Sequence, residues 1–564
     1  MRYSKLFGKT SKTVTKDAVA VSHKLLLQGG FIRMLSAGRF TLLPLGLKVS
    51  QKIENIIRAE VEKTGAQELI IPTLHPLDLW ATAKRDKKFG SATMKVTDRN
   101  NSEFILGPTG EVVMLDLVRQ LNITYKDLPI NIYQFSQKFR DETRATGGLL
   151  RVKEFLMKDA YSFHVDEADL MVTFNRYKTA YKNIAKILDL NAIPVEADSG
   201  AIGGNLSYEF MVETEAGEDT VAKCSCGYIA NTEKATFVLD PINLSENIKP
   251  MEIVSQPEWV LSMEDNVKHY GKDKKYFLKN VVYKDIDGTI IIAVIRGDLS
   301  VNKSKLARVY GAKGDLGPAT DEDLTKLGTR PGWVHCWGHD AVYVGDLSLK
   351  TVHNFIGGQK EKDTDSVNVN HGRDFTCQIE GDIAQVEEGF ICPSCKKQQL
   401  RLVKAIEFGH IFNIGYVYSD PMNITFVDKD GSLKKFYMGS YGIGIGRALA
   451  TIAETHNDAK GIVWPASVAP YAVHLLVLDL QDEAIKSEAE KLYQHLLDNK
   501  VDVLYDDRLE STAGEKFADA DLLGIPIRLV VSKRSLSAGG VEIKSRSGTE
   551  AKIIPLDQIT DHLS

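Results

Sequence analysis

The feature that most restricts the fold is a pair of strand-like runs separated by glycines. NIYQFSQKFRDE (131–142) and RVKEFLMKDAYSF (151–163) flank Gly147-Gly148. Two such runs around a short glycine-containing loop read as an antiparallel pair. The pair is heavily charged: Arg140, Arg144 and Arg151 lie near Asp141, Glu142 and Glu154, beside Phe155, Leu156 and Met157. One reading is a solvated salt-bridge face. The other is a site for a polyanion that carries an aromatic ring. The planar fork of arginine fits phosphate or carboxylate. Glu142, two residues from Arg140, shares its face and can accept from an exocyclic amine. Phe155 on the partner strand can stack on a purine.

At 564 residues the chain exceeds a single core, so three or four domains are expected. Its 43% apolar and 26% charged content is that of a soluble globular protein. A net charge of -5 argues against a generic basic nucleic-acid coat but leaves room for local basic grooves. No signal peptide is seen near the N-terminus, and no run reaches the ~18 apolar residues of a membrane span. Six cysteines in this length do not make a disulfide scaffold. The expectation is a cytoplasmic protein without membrane contact.

From Pro44, the residues Val49, Ile53, Ile56, Ile57 and Val61 fall at helical spacing, with Gly65 as the stop. QELIIP (67–72) reads as a strand, EFILGPTGEVVM (103–114) as strand, loop and helix start, and 169–188 as a helix. Between Cys224 and Cys395 the texture changes to that of an inserted α+β domain. KKYFLKNVVYKDIDGTIIIAVIRGD reads as a hairpin turning at Asp-Gly, and VNKSKLARVYG and DEDLTKLG as short helices. GHIFNIGYVYS (409–419) and KKFYMGSYGIGIGRALATIAE (434–454) resume strands followed by a helix. Strand–helix alternation at the C-terminus implies a small, mainly parallel sheet. The expected division is 1–223, 224–395, 396–466 and 467–564.

GSYGIGIGRALATIAE (439–454) alternates glycines and then opens a helix at Arg447. It fails the dinucleotide spacing, because Arg447 occupies the last glycine position, which weakens a Rossmann-type reading. It is either a close-packed strand–helix joint or a glycine-lined strand with an arginine for a terminal phosphate.

With these segments in this order, the chain resembles a class II aminoacyl-tRNA synthetase, and closely a bacterial-type prolyl-tRNA synthetase. LPLGLKVSQKIENIIRAEVEKTGAQELIIP looks like motif 1, FRDETR…RVKEFLMKDAYSF like motif 2 and GSYGIGIGRALA like motif 3. GPTGE, GAIGGNLSYEF and GHIF look like prolyl-specific segments. The implied fold is α+β and multidomain: a class II antiparallel-sheet catalytic core, an inserted α+β editing domain and a C-terminal α/β anticodon-binding domain.

The resemblance implies roles by position. Arg140 would hold the α-phosphate and the amino-acid carboxylate, Glu142 the adenine amine, and Phe155 the adenine ring. Arg151 would lie near the outer phosphates and Arg447 at the γ-phosphate. Thr109 and Glu111 would meet the proline nitrogen, with His410 and Phe412 lining the ring pocket. Arg140, Glu142 and Arg447 are the catalytic set, with ATP and Mg²⁺ implied. The sequence departs from the family at Gly110 and Val112 (GPTGEV for GPTHEE), at Tyr208 (SYEF for SHEF), at Ala145-Thr146-Gly147 for Pro-Arg-Phe, at Ser440 for a frequent cysteine, and at Gly415-Tyr416 for Gly-Thr.

In the insertion, Lys274 aligns with the family's editing lysine, with Lys275 one residue away, and Arg296, Asp298, Asn302 and Lys305 continue the pattern. A basic solvated edge is the alternative. The loop near Gly332 and the segment Gly357-Gly358-Gln359 depart from the family's Gly-Pro loop and GAN motif. Cys224, Cys226, Cys392 and Cys395 flank the insertion and either bind structural Zn²⁺ or remain reduced thiols. In the C-terminal domain, Arg508, Lys516, Arg528, Lys533 and Lys544 are expected anticodon contacts, or ordinary surface charges. The expected protein is a homodimeric prolyl-tRNA synthetase that acts on L-proline and tRNA(Pro) and edits Ala-tRNA(Pro). Its rivals are a threonyl- or seryl-type enzyme and a non-catalytic tRNA-binding paralogue.

Overall fold

In the computed structural model, the two glycine-separated runs pair antiparallel, Ile130–Phe139 against Glu154–His164, in register from Ile130↔Phe163 to Phe139↔Glu154. The described residues are all but 12, 14–17, 90, 91, 313, 359, 360, 362 and 564, so Gln359 lies outside them. The pair sits near one edge of a nine-stranded sheet. Its order is Leu206–Glu213, Ala192–Ala197, Ile229–Asn231, Asp219–Lys223, Arg401–Gly415, Tyr437–Gly444, Glu154–His164, Ile130–Phe139 and Gln67–Glu68. Arg401–Gly415 is the spine: it pairs with Tyr437–Gly444 on one side and with both Leu206–Glu213 and Asp219–Lys223 on the other.

Three helices cover one face of this sheet. Pro44–Glu62 buries Val49, Ile53, Ile57 and Val61, four residues apart on one side, and the chain turns out at Gly65. Glu167–Ile187 is capped by Asp166, which accepts from the Asp169 amide, and buries Leu170, Phe174, Tyr177, Tyr181 and Ile184. Ile445–Thr455 starts where the strand Tyr437–Gly444 ends. Their apolar faces form one core with Tyr133, Ala160, Ile411, Tyr441 and Ile443 of the sheet. Strand alternation sends the intervening residues to the opposite face, which carries the cavity described below.

The insertion has its own five-stranded sheet, in the order Gly317–Pro318, Leu278–Lys284, Ile290–Arg296, Val342–Asp346 and Ile379–Gly381, and a smaller three-stranded one. The expected hairpin is present between Leu278–Lys284 and Ile290–Arg296, with Gly288 at φ +85° in its turn. The short helices are Lys303–Tyr310 and Asp321–Lys326. In the C-terminal domain Val473–Val477, Val503–Asp506 and Ile527–Val531 are parallel, and Val541–Ser545 and Lys552–Ile554 extend the sheet antiparallel. Leu504, Leu523 and Ile525 of this domain join the core under the nine-stranded sheet, and the Met1 amino group donates to Val503 O at 2.9 Å.

Three expectations are corrected. QELIIP forms a strand only at Gln67–Glu68; beyond it Ile71 N donates to the Gln134 side chain instead of to a strand neighbour. The insertion strand expected to begin with Lys274 starts at Leu278, and Lys274 sits before it in the 3₁₀ turn Lys274–Tyr276. The strand Ile229–Asn231 still belongs to the nine-stranded sheet, so the chain leaves that sheet after residue 231 rather than at 224. Among the described residues, no helix is long and apolar enough to cross a membrane.

Candidate active site

One cavity of about 200 Å³ gathers Thr109, Glu111, Arg140, Glu142, Arg151, Phe155, His410, Phe412 and Arg447. These are all nine residues expected for ATP and proline, and they come from separate segments. Phe155, Met157 and Asp159 alternate along one strand, and Ser440, Gly442 and Gly444 along the next. A Cβ on Gly442 would project toward the Met157 sulfur, 3.6 Å away, so the missing side chain leaves room over the strand.

In the basic half of the cavity, every phosphate-type donor already has a partner. Arg151 donates from Nε and Nη2 to Glu142 Oε2, at 2.9 and 2.6 Å. Arg447 donates to Leu150 O at 2.9 Å and to Glu407 Oε2 at 2.8 Å. Arg140 donates to Pro108 O at 3.3 Å, and its guanidinium lies 5.4 Å from the Phe155 ring centre. The Arg151–Glu142 pair is partly exposed, at 40% and 23%, so it contributes only about 0–1 kcal/mol and is easily exchanged for a more highly charged ligand.

In the acidic half, Glu111 is fully buried and receives Thr109 Oγ1 at 2.6 Å and Ser440 Oγ at 2.9 Å. Burial pushes its carboxyl up, and these hydroxyls pull it back. Ser440, where cysteine is frequent in the family, is therefore a second holder of Glu111. The loop below is fixed by Asp159, which accepts from Gln134 at 2.9 Å, Tyr161 at 2.7 Å and Lys138 at 2.9 Å; the Gly110 amide in turn donates to Tyr161 Oη at 2.7 Å. A Cβ at Gly110 would meet that hydroxyl at 2.8 Å and Asp159 Oδ2 at 3.0 Å, so the usual histidine cannot stand here without a shift. His410 stacks on Phe412 with ring centres 3.8 Å apart.

Three acids near these residues were not read from the sequence. Glu407 and His410 face the same side although they are three residues apart. The cause is a bulge: Phe210 pairs with Gly409 and Met211 with Glu407, which leaves Phe408 unpaired and sends it into the core. Glu407, Glu209 and His410 each place a potential ligand atom within 4.8 Å of the others. Burial, then Glu407, drives Glu209 up; burial also works against Glu407, but His410, Arg447 and Arg140 outweigh it and hold that carboxyl down. Asp219 is pushed up to about 6 by burial and by Glu407.

A second cavity, of about 680 Å³, lies in the insertion and is lined by Gln256, Asn266, Lys279, Asn280, Trp333 and Asp365 among others. Lys274 does not line it; its ammonium pairs with Glu264 at 2.5 Å. On the strand Leu278–Lys284 the lysine that lines the cavity is Lys279, which donates to Leu299 O at 2.7 Å. Arg296, Asp298 and Asn302 do not line it either. Arg296 is buried against Asp298 at 2.7 Å and Thr351 at 2.8 Å, and Asn302 caps the helix Lys303–Tyr310. Lys305 is buried on Asp382 at 2.9 Å.

The C-terminal cations are likewise mostly engaged. Arg508 pairs with Asp506 at 2.6 Å and Asp519 at 2.8 Å, Lys516 donates to Val477 O at 2.7 Å, and Arg528 meets Asp521 at 3.1 Å. Lys533 is exposed at the start of Lys533–Ser537, and Lys544 is half-buried on the strand Val541–Ser545. The four flanking cysteines do come together: Cys224 and Cys395 sulfurs are 3.8 Å apart and Cys226 and Cys392 3.7 Å.

The model of the class II tRNA synthetase core domain (G, H, P, S and T) matches residues 94–456, and that of the anticodon binding domain matches residues 468–564. A proline–tRNA ligase of Sulfurihydrogenibium sp. is 43% identical over 567 residues, covering 100% of this chain and 99% of that one. The proline–tRNA ligase of Aquifex aeolicus is 42% identical over 565 residues, covering 100% and 98%. The chain belongs to the proline–tRNA ligase family. The class II fold of this family member also aligns with a Giardia lamblia prolyl-tRNA synthetase solved with prolyl-adenylate. There the TM-score is 0.58 and the identity 16%, over 96% of this chain and 78% of that one. The antiparallel sheet with its cavity is thus the synthetase core of a proline–tRNA ligase, and the C-terminal sheet is its anticodon-binding domain.

Proposed function

We propose that this chain activates L-proline with ATP to prolyl-adenylate and transfers the prolyl group to the 3′ end of tRNA(Pro). The observation that carries the reading is the sharing of one cavity by Arg140, Arg447, Glu142 and Phe155 with the buried Thr109–Glu111–Ser440 network. The proline carboxylate is already a nucleophile, so the site needs alignment and charge neutralisation rather than a strong base. Arg140 holds that carboxylate against the α-phosphate, Arg447 takes the γ-phosphate, and Arg151 the outer phosphates. Glu142, released from Arg151, accepts the adenine amine while Phe155 stacks on the ring. Glu111 receives the two N–H donors of the secondary ammonium, and His410 with Phe412 walls the ring. Glu407 and Asp219 are the carboxylates whose chemistry fits a hard cation. Mg²⁺, when bound, neutralises phosphate charge.

The insertion cavity suits hydrolysis of Ala-tRNA(Pro), because a pocket shaped for proline cannot strongly exclude a smaller amino acid. In this reading Lys279 takes the place first expected for Lys274. The tRNA docks on the C-terminal domain with Lys533 and Lys544 outermost, the enzyme works in the cytoplasm as a homodimer through its motif-1-like helix, and Zn²⁺ has a structural place at the cysteines. The test is ATP–pyrophosphate exchange with proline, alanine, cysteine and threonine. Proline is expected to dominate; no stimulation by any of them, or a preference for threonine, would overturn the assignment.

A further inference from the structure

We propose that Cys224, Cys226, Cys392 and Cys395 hold one Zn²⁺, and that this ion clasps the two roots of the insertion and fixes the strand register behind Glu407 and Asp219. The proposal rests on the structural place given to zinc above. It is independent of which amino acid is activated, so its failure and the failure of the aminoacylation reading are distinguishable.

The sulfur geometry is that of a tetrahedral tetrathiolate. Four sulfurs at about 2.3 Å from a central zinc stand about 3.8 Å from one another. The Cys224–Cys395 and Cys226–Cys392 separations are 3.8 and 3.7 Å, and all four sulfurs lie within 4.8 Å of one another. A disulfide needs about 2.05 Å, so neither pair is bonded. The pairing is also crossed, each close contact joining one cysteine from each end of the insertion, as expected when four ligands converge on one point.

The backbone is arranged to match. Each cysteine pair sits in a tight turn. Cys224 N donates to Tyr228 O and Gly227 N to Cys224 O, with Gly227 at φ +98°; Cys392 N donates to Gln398 O and Lys396 N to Cys392 O, with Lys396 at φ +55°. Amides of these turns reach the sulfurs: that of Tyr228 reaches Cys226, and those of Lys397 and Gln398 reach Cys395. Amide donors of this kind hold negative charge on thiolate ligands. Cys392 is fully buried in a small apolar cluster with Ala222, Ala230, Val386 and Leu400, which shields one side of the site.

The position gives the ion its task. Cys224 directly follows the strand Asp219–Lys223, and Cys395 precedes Arg401–Gly415 by a short turn; these two strands pair as Lys223↔Arg401 through Asp219↔Ala405. A metal at the Lys223–Arg401 end closes this ladder as a pin. Two residues beyond its other end stands Glu407, which holds Arg447. A slip of one residue in this ladder would turn Glu407 away from the cavity.

The test uses the full-length chain purified under reducing conditions. Elemental analysis should give close to one zinc per chain, falling at least about tenfold in Cys392→Ser. Because that variant can lose structure, the metal-free wild-type chain is also titrated with Co²⁺. Thiolate-to-cobalt charge-transfer bands with tetrahedral ligand-field bands are expected, and should be bleached by one equivalent of Zn²⁺. Hydrogen exchange should rise on zinc removal in residues 219–231 and 391–405 while the C-terminal sheet is unchanged. A chain that purifies without zinc and gives no such bands with Co²⁺ overturns the site; exchange that rises everywhere or nowhere overturns the pinning role.

Discussion

The cavity of the synthetase core and the cavity of the insertion both mix charges of the two signs, but they differ in size and in how those charges are held. The first is small, about 200 Å³, and crowded with charges that neutralise one another: Arg151 on Glu142, Arg447 on Glu407. The second is larger, about 680 Å³, and its lining mixes amides and an indole with Glu258, Lys279, Arg330, Asp363 and Asp365. A site that must bind a polyanion beside a zwitterion keeps its cations in place with exchangeable internal partners, at little cost. In the editing role proposed for it, the second cavity needs its larger room to admit the end of a tRNA.

Ways to break this contrast follow in order of expected size. Arg140→Ala should reduce proline-dependent pyrophosphate exchange by about 10²–10³-fold, the usual loss for one charge-stabilising donor, and leave hydrolysis of Ala-tRNA(Pro) intact. If both activities fall together, the cavities are not separate sites. Glu407→Gln should lower exchange by about tenfold or more and raise the Mg²⁺ concentration needed for half-maximal rate, because a hard-cation ligand and the partner of Arg447 are lost together. Wild-type Mg²⁺ dependence in this variant would remove Glu407 from the ion's surroundings. Lys279→Ala should slow Ala-tRNA(Pro) hydrolysis by about tenfold or more without changing proline activation, whereas Lys274→Ala should leave both near wild type. The reverse pattern would restore Lys274 to the role read from the sequence.

The last effect is on stability. Burial raises the Asp365 carboxyl to about 7 in the folded insertion, from an ordinary value of 3.8. The folded state then binds more protons than the unfolded state between those values, so stability is highest in acid and declines as pH rises toward about 7, levelling off above. Each pH unit in the window costs at most about 1.4 kcal/mol. Asp365→Asn should flatten that slope in denaturant titrations at several pH values; an unchanged slope would place the aspartate's titration elsewhere.

Part of the cavity lining was legible because a strand's two-residue alternation carries it. Phe155 with Met157 and Asp159 keep one face of their strand, whereas Arg140 and Glu142 fall just past the end of Ile130–Phe139; the resemblance supplied their partners on distant segments. Glu407 was not legible. Counting by two from His410 puts Phe408 in the cavity, and only the bulge at Phe408 reverses the faces. In the insertion the pattern Arg296, Asp298, Asn302 looked functional but serves the fold, as a buried ion pair and a helix cap, because polar residues near strand ends are needed there first. Lys274 lies outside the insertion cavity for a local reason: the run KKYFLK begins in a 3₁₀ turn, so the strand that faces the cavity starts four residues later. The two cysteine pairs were visible, but their convergence across the insertion depends on contacts between residues 166 or more apart, which no local pattern records.

The measurement that bears most directly on the catalytic account is a structure of this chain with a non-hydrolysable prolyl-adenylate analogue. The prediction is that Glu142 leaves Arg151 and accepts from the adenine amine, that Phe155 stacks on the ring, and that the proline nitrogen lies within hydrogen-bond distance of Glu111 and Thr109. An analogue bound in the cavity with the Arg151–Glu142 pair intact and Glu111 still held only by Thr109 and Ser440 would contradict it.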